Sequence, residues 1–125
     1  VYPNELGPSN SLLASAMDKA RGGKFDQVPS QYPEAAWYTY DDETCDYNCM
    51  ITEYLYWALT SLLGAQDFSG RYDYIRNEWK LNTREKLKEG DKDVYQLLID
   101  PKYKLPTSLP DGDHPLMKDL KVDSL

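Results

Sequence analysis

The feature that most constrains the fold is one apolar stretch, residues 49–63, which contains neither proline nor glycine. Its apolar side chains fall on nearly every side of a helix, and a helix that is apolar all round is a buried helix. The only charged residue within it is Glu53. The stretch therefore predicts an all-α fold, a small helical domain around one buried central helix at about residues 48–65.

Shorter helices are predicted on both sides of the central one. Residues 11–21 carry an apolar stripe at helical spacing, with Ser9 or Asn10 as the cap and a glycine pair at 22–23 as the end. Three more helices are expected after the central one, from residue 69 or 70 to 80, from about 83 to 90, and from 91 to 99.

The ends and one internal segment are harder to interpret. Residues 34–40 are compatible with a helical turn, favoured by Glu-Ala-Ala, or with an extended piece, favoured by aromatic and Thr content. Residues 1–10 and 102–125 are rich in proline and predict irregular, extended arms, with a turn of helix at 115–120. The whole chain, 1–125, is expected to form a single domain.

Net charge and cysteine content limit the classes of partner and the cellular compartments that can be expected. The net charge of −7 disfavours nucleic acid, because phosphate binding requires clustered Lys and Arg. No stretch approaches the roughly 20 apolar residues of a membrane span, so no transmembrane segment is expected. The first residue is Val1 rather than Met, which is typical of a processed or truncated chain.

Cys45 and Cys49 are the only cysteines, and their spacing favours a small structural disulfide over a redox motif or a metal site. The alternative is a pair of free buried cysteines in a reducing compartment. With the disulfide, we expect an extracellular location or another oxidising compartment.

Carboxylates around the central helix are candidate metal ligands. Glu53 lies within the most apolar helix, where a carboxylate must be paired, protonated or bound to a cation. The candidate ligands before the helix are acidic: Asp41, Asp42, Glu43 and Asp46. Together these oxygens could hold Ca²⁺ or Zn²⁺. The alternatives for Glu53 are a carboxylate bonded to tyrosine hydroxyls or a backbone amide, or one that lies on an exposed stripe of the helix. The alternative for the acidic cluster is a solvated turn, and in these cases no cofactor is required.

Aromatic residues are unusually abundant, with eleven Tyr and three Trp against two Phe. Candidate interaction residues are Trp37, Tyr38, Tyr40, Tyr54 and Trp57. Such side chains bind partner surfaces, sugars or pigments, or they form the core.

Two segments resemble poorly characterised secreted proteins of aquatic microbes and invertebrates. They are residues 37–66, with Asp-Asp-Glu-Thr-Cys-Asp-Tyr-Asn-Cys before Thr-Glu-Tyr-Leu-Tyr-Trp, and residues 77–112. The layout is similar to the glutamate-donating part of zinc metallopeptidases, and the resemblance implies that Glu53 would be that glutamate. The upstream His-Glu-x-x-His helix is absent.

The motif content favours a non-enzymatic function. Walker A, Gly-x-Ser-x-Gly and Gly-x-Gly-x-x-Gly patterns are absent, and the sequence contains one His. We therefore expect a structural or protein-interaction module, a subunit of a larger assembly with other protein subunits as partners. The alternative is a fragment or subunit of a metal-dependent, metallopeptidase-like enzyme using Glu53.

Overall fold

The computed structural model describes residues 3–7, 11–103 and 105, and the architecture of these ranges is all-α, as predicted. The elements are α1 (Pro3–Leu6), α2 (Leu12–Arg21), α3 (Tyr47–Leu62), α4 (Arg71–Ile75), α5 (Arg84–Gly90), α6 (Lys92–Ile99) and a 3-10 turn (Pro101–Tyr103). Across the described ranges, no helix combines the length and the apolar character that crossing a bilayer demands.

Helix α3 is the buried centre of the fold. Asp46 caps its first turn by accepting a hydrogen bond from the Cys49 amide at 2.9 Å. Gly64, with φ of +88°, turns the chain away after the helix ends, a conformation that glycine adopts without strain. Helices α2, α5 and α6 all pack against α3. The predicted central helix is thus confirmed, two to three residues shorter at its end than expected.

Helix α2 forms the second layer, against α6 and beneath α1. Its buried stripe includes Leu13, Met17 and Ala20. The helix ends at Gly22, as predicted, but the residue that caps its start is Ser11 rather than Ser9 or Asn10. The Ser11 hydroxyl accepts a hydrogen bond from the Ala14 amide at 3.0 Å, which fixes the helix start one residue later.

Helix α4 stops at Ile75, whereas the sequence predicted a helix up to residue 80. The chain leaves the helix because Trp79 forms an antiparallel bridge with Tyr38. The Thr39 amide donates to the Glu78 carbonyl at 2.9 Å, and the Lys80 amide donates to the Trp37 carbonyl at 3.1 Å. This pairing shows that the ambiguous segment is extended at Tyr38.

The arms also differ from expectation. Part of the segment 1–10 is helical in α1, and the segment 102–125 begins within the 3-10 turn. The segment 102–125 begins differently from an extended arm because Tyr103 packs into the core, at 8% exposure. The predicted helical turn at 115–120 lies outside the described residues.

Candidate functional site

The short backbone pairing places the Glu78 carboxylate beside the indole N–H of Trp57, at the wall of a pocket between α3, α4 and the extended segment. Trp57 Nε1 donates a hydrogen bond of 2.6 Å to Glu78 Oε2. The Trp57 ring is buried beneath this contact, at 5% exposure. A hydrogen bond to an ionised group of this length is a strong one, so the carboxylate is held in a defined position.

The surroundings of Glu78 raise the pKa of its carboxyl group above the ordinary value. Burial raises the pKa of the Glu78 carboxyl, and the charge of Asp41 raises it further. The hydrogen bond from Trp57 and the charge of Arg71 lower the same pKa without cancelling the effect of burial. Glu78 therefore carries a negative charge that its own surroundings do not fully compensate.

This pKa gives a testable pH dependence. Because the pKa is raised above its ordinary value of 4.5, the folded chain binds the proton more tightly than the unfolded chain does. Ionised Glu78 therefore opposes folding at neutral pH, and this opposition fades as the pH falls through the raised pKa. We expect wild type to gain stability relative to Glu78→Gln over that range, measured by urea denaturation. A difference that stays constant with pH, or moves the other way, would contradict this assignment.

Arg71 also forms part of the pocket wall, and contacts with buried residues hold its side chain in place. Its Nε donates to Gln66 Oε1 at 2.7 Å, and Gln66 is itself buried and donates to Thr60 Oγ1 at 2.9 Å. This chain of contacts fixes the guanidinium to the buried part of α3. The Arg71 side chain is therefore held in one orientation rather than being free to move in solvent.

Two exposed aromatic rings flank Arg71. The guanidinium carbon lies 5.8 Å from the ring centre of Phe68 and 5.6 Å from that of Tyr74. Both distances fall within the range of a cation–π contact. Phe68 is 58% exposed and Tyr74 is 82% exposed. We call Phe68, Arg71 and Tyr74 the aromatic–arginine face.

The adjoining pocket has a volume of about 270 Å³. We call it the Glu78 pocket, and its charged and aromatic lining consists of Tyr40, Asp41, Trp57, Arg71, Tyr74 and Glu78. The face and the pocket share Arg71 and Tyr74, so they form one continuous surface.

Tyr38 and Tyr54, two predicted interaction residues, lie in the core and present no surface to a partner. The prediction is wrong for these two because both hydroxyls find acceptors inside the fold. Tyr38 donates to the Met50 carbonyl at 2.7 Å, and Tyr54 donates to Asp91 Oδ2 at 2.6 Å.

The other three predicted interaction residues are placed differently. Tyr40 and Trp57 both line the Glu78 pocket, and Tyr40 is half-buried. Trp37 is half-buried and lies elsewhere, with its Nε1 donating to Asp91 Oδ2 at 3.0 Å. The role of these three residues in binding stays a prediction.

Asp91 is a buried polar centre that the sequence did not reveal. Besides Trp37 and Tyr54, the Val94 amide donates to it at 3.2 Å, which caps α6. Burial raises the pKa of Asp91, while its donors lower it. The local signal was an Asp placed directly before an apolar helix. The two aromatic donors come from distant segments that no local pattern connects to it.

A buried cation was also missed. Arg21 is fully buried, donates to the Phe25 carbonyl at 2.7 Å and stacks against the Phe25 and Tyr32 rings. Its Nε has no hydrogen-bond partner among the described residues. These contacts hold the loop after α2 against the core, which is a structural role.

The predicted acidic ligands, Asp41, Asp42, Glu43 and Asp46, are all exposed. Asp46 serves as the cap of α3, and Asp42 accepts hydrogen bonds from the Thr44 amide at 3.0 Å and the Thr44 hydroxyl at 2.6 Å. Within the described residues, no group of three or more His, Cys, Asp or Glu side chains is placed to hold a metal ion.

Glu53 is buried in α3, at 3% exposure. Its charge contributes to the raised pKa of Tyr38 and of Tyr40, in each case after burial. The structure does not join Glu53 with the acidic turn in a metal-holding group.

Cys45 and Cys49 lie at disulfide distance, with Cα atoms 5.2 Å apart, and the bond links the acidic turn to the first turn of α3. This agrees with the predicted pairing and is compatible with an oxidising compartment. The bond does not touch the Glu78 pocket lining.

Replacing both cysteines with serine is expected to lower the free energy of unfolding by about 2 kcal/mol, because so short a loop restricts the unfolded chain only modestly. Urea denaturation with and without reductant measures this effect. The double variant is its own control, since reductant should change wild type and leave the variant unaffected. Equal stability of reduced and oxidised wild type would contradict the assignment.

Comparisons with protein-family models, with curated proteins and with solved structures find no match for this chain. The resemblance to secreted proteins and to the metallopeptidase layout therefore stays a prediction.

Proposed function

We propose that this chain is a non-enzymatic protein-interaction module, a subunit of a larger assembly that meets its partner through the aromatic–arginine face. The observation that carries the proposal is the exposure of Phe68 and Tyr74, both of which contact one anchored guanidinium. Aromatic and arginine side chains are the residue types that dominate binding energy at protein interfaces.

The anchoring of Arg71 supports this proposal. Ordering a long side chain on binding costs about 0.5–1.5 kcal/mol, and a pre-oriented side chain avoids part of that loss. Gln66 and the flanking rings already hold the guanidinium in place. The guanidinium of the face is therefore held in place before a partner binds.

Other exposed apolar side chains of the described ranges provide a contrast. Leu12 is 54% exposed and Ile99 is 41% exposed, and neither side chain is aromatic. Scattered exposed apolar residues are ordinary on protein surfaces. The aromatic–arginine face differs because its two exposed rings contact the same guanidinium.

The proposal also includes the compartment in which the protein acts. We place the protein in an extracellular or other oxidising compartment, which the disulfide supports. The net charge of −7 supports protein partners over nucleic acid.

The proposal is tested by exchanging exposed apolar residues at two sites. In one variant, Phe68→Ser and Tyr74→Ser are combined; in the matched control, Leu12→Ser and Ile99→Ser are combined. Each tagged full chain is produced in the source organism, and its assembly size is measured by sedimentation. We expect wild type and the control to sediment as an assembly and the first variant to sediment as the free chain. A wild type that sediments as the free chain, or a first variant that assembles normally, would contradict the proposal.

A further inference from the structure

We infer that the Glu78 pocket receives a lysine or arginine side chain of the protein partner. This inference rests on the proposed function and adds the chemical identity of one partner group. Its basis is the arrangement of charge and aromatic rings around the pocket.

The first support is the Glu78 carboxylate itself. Trp57 Nε1 bonds one oxygen at 2.6 Å, and among the described residues no other hydrogen bond or ion pair to this carboxylate is found. The second oxygen is thus available to a donor entering the pocket. An incoming ammonium or guanidinium would form a charge-assisted hydrogen bond with it.

The second support is the balance of charge. Burial raises the pKa of Tyr40, and four carboxylates raise it further: Glu53, Glu78, Asp42 and Asp41. Among the described residues, Arg71 is the one cation in the pocket lining. It forms no ion pair with Glu78 within 4.0 Å, so the negative charge of Glu78 can pair with a cation of the partner. The acidic chain as a whole would attract a basic partner.

The third support is the lining and size. Tyr40 and Tyr74 are ring walls against which a cation can lie. The volume of about 270 Å³ is just below the range of roughly 300–1,000 Å³ that is typical for drug-sized ligands. A single long side chain suits this space better than a larger ligand does.

An anionic group held by Arg71 is the competing occupant. The Arg71 Nε is already bonded to Gln66, and the guanidinium lies against aromatic rings. An anion would also approach Glu78 and Asp41, which repel it. The cation is therefore the favoured occupant, and the anion is an outcome that the test can detect.

The test follows the indole N–H resonance of Trp57 by NMR, because this proton lies in the hydrogen bond to Glu78. Four probes are titrated into the full chain: N-acetyl-arginine amide, N-acetyl-lysine amide, N-acetyl-citrulline amide and N-acetylglycine. We expect a saturable shift with at least one of the two cationic probes and none with neutral citrulline. Equal binding of citrulline, binding of N-acetylglycine alone, or no saturable shift would overturn the inference.

Two variants make the test specific. Glu78→Gln keeps an acceptor for Trp57 and is expected to weaken binding of the cationic probe by about tenfold. Asp41→Asn, at an exposed position where folding is not at risk, is expected to weaken it by a smaller factor. Unchanged affinity in a folded Glu78→Gln variant, or in Asp41→Asn if the first does not fold, would overturn the inference. An assembly lost in the Phe68 and Tyr74 variant but kept in Glu78→Gln would leave the proposed function standing and reject the pocket inference.

Discussion

Replacing Asp91 with alanine is expected to lower the free energy of unfolding by about 3–5 kcal/mol. The carboxylate accepts hydrogen bonds from Trp37, Tyr54 and the Val94 amide, and it is 4% exposed. Without it, three hydrogen-bond donors lose their acceptor at once and α6 loses its cap. Chemical denaturation followed by circular dichroism measures the loss.

Two milder variants separate the contributions. In Asp91→Asn the side-chain NH₂ must face either the Trp37 indole or the Val94 amide, so we expect a loss of about 1–3 kcal/mol. Tyr54→Phe removes one donor to a charged group and is expected to cost about 1.5–3 kcal/mol. If Asp91→Ala were no less stable than Asp91→Asn, the role of Asp91 as a shared acceptor would be wrong.

Replacing Trp79 with alanine is expected to cost a similar amount, about 3–5 kcal/mol, because it empties a large buried volume. The ring is fully buried, with centres 6.2 Å from Tyr38 and 6.0 Å from Tyr54. Its Nε1 also donates to Ser61 Oγ at 2.9 Å. Thermal or urea denaturation provides the measurement.

This substitution should also disturb the Glu78 pocket, because the Trp79 ring packs against Tyr38, the residue with which Trp79 forms the backbone bridge next to Glu78. The Trp57 indole resonance is expected to move in Trp79→Ala even under conditions where the chain is folded. Trp79→Phe is the control: it keeps a ring in the core, loses the bond to Ser61 and should cost only about 1–3 kcal/mol. An Ala variant as stable as the Phe variant would show that the ring is not packed as described.

The sequence predicted features that depend on local pattern. The central helix follows from an apolar run without breakers, and the end of α2 follows from the glycine pair at 22–23. The disulfide follows from the spacing of two cysteines. Each of these signals is contained within a few neighbouring residues.

The candidate site depends on contacts between distant segments, which explains why it was not predicted. Glu78 and Trp57 are 21 positions apart, and their hydrogen bond requires α4 to end early at the Tyr38–Trp79 bridge. Local composition predicts a helix through residue 80. The bridge that prevents it is a tertiary contact, which local composition does not contain. Arg71, likewise, becomes notable only when Gln66 and two exposed rings surround it.

Aromatic richness had two possible meanings, and the structure divides the residues between them. Tyr38 and Tyr54 have hydroxyl acceptors inside the core, so they are structural. Tyr74, which carried no distinctive local signal, is the most exposed of the large apolar side chains in the described ranges. The surface proposed for binding is therefore carried by aromatic residues that the sequence did not single out.

Hydroxyl-radical footprinting of the native assembly tests the central proposal most directly. The protein is isolated from its source under mild conditions, and side-chain oxidation is compared with that of the purified free chain. We predict strong protection of Phe68 and Tyr74 in the assembly, with Leu12 and Ile99 oxidised equally in both samples. Equal oxidation of Phe68 and Tyr74 in the two samples, or recovery of the native protein only as the free chain, would contradict the proposal.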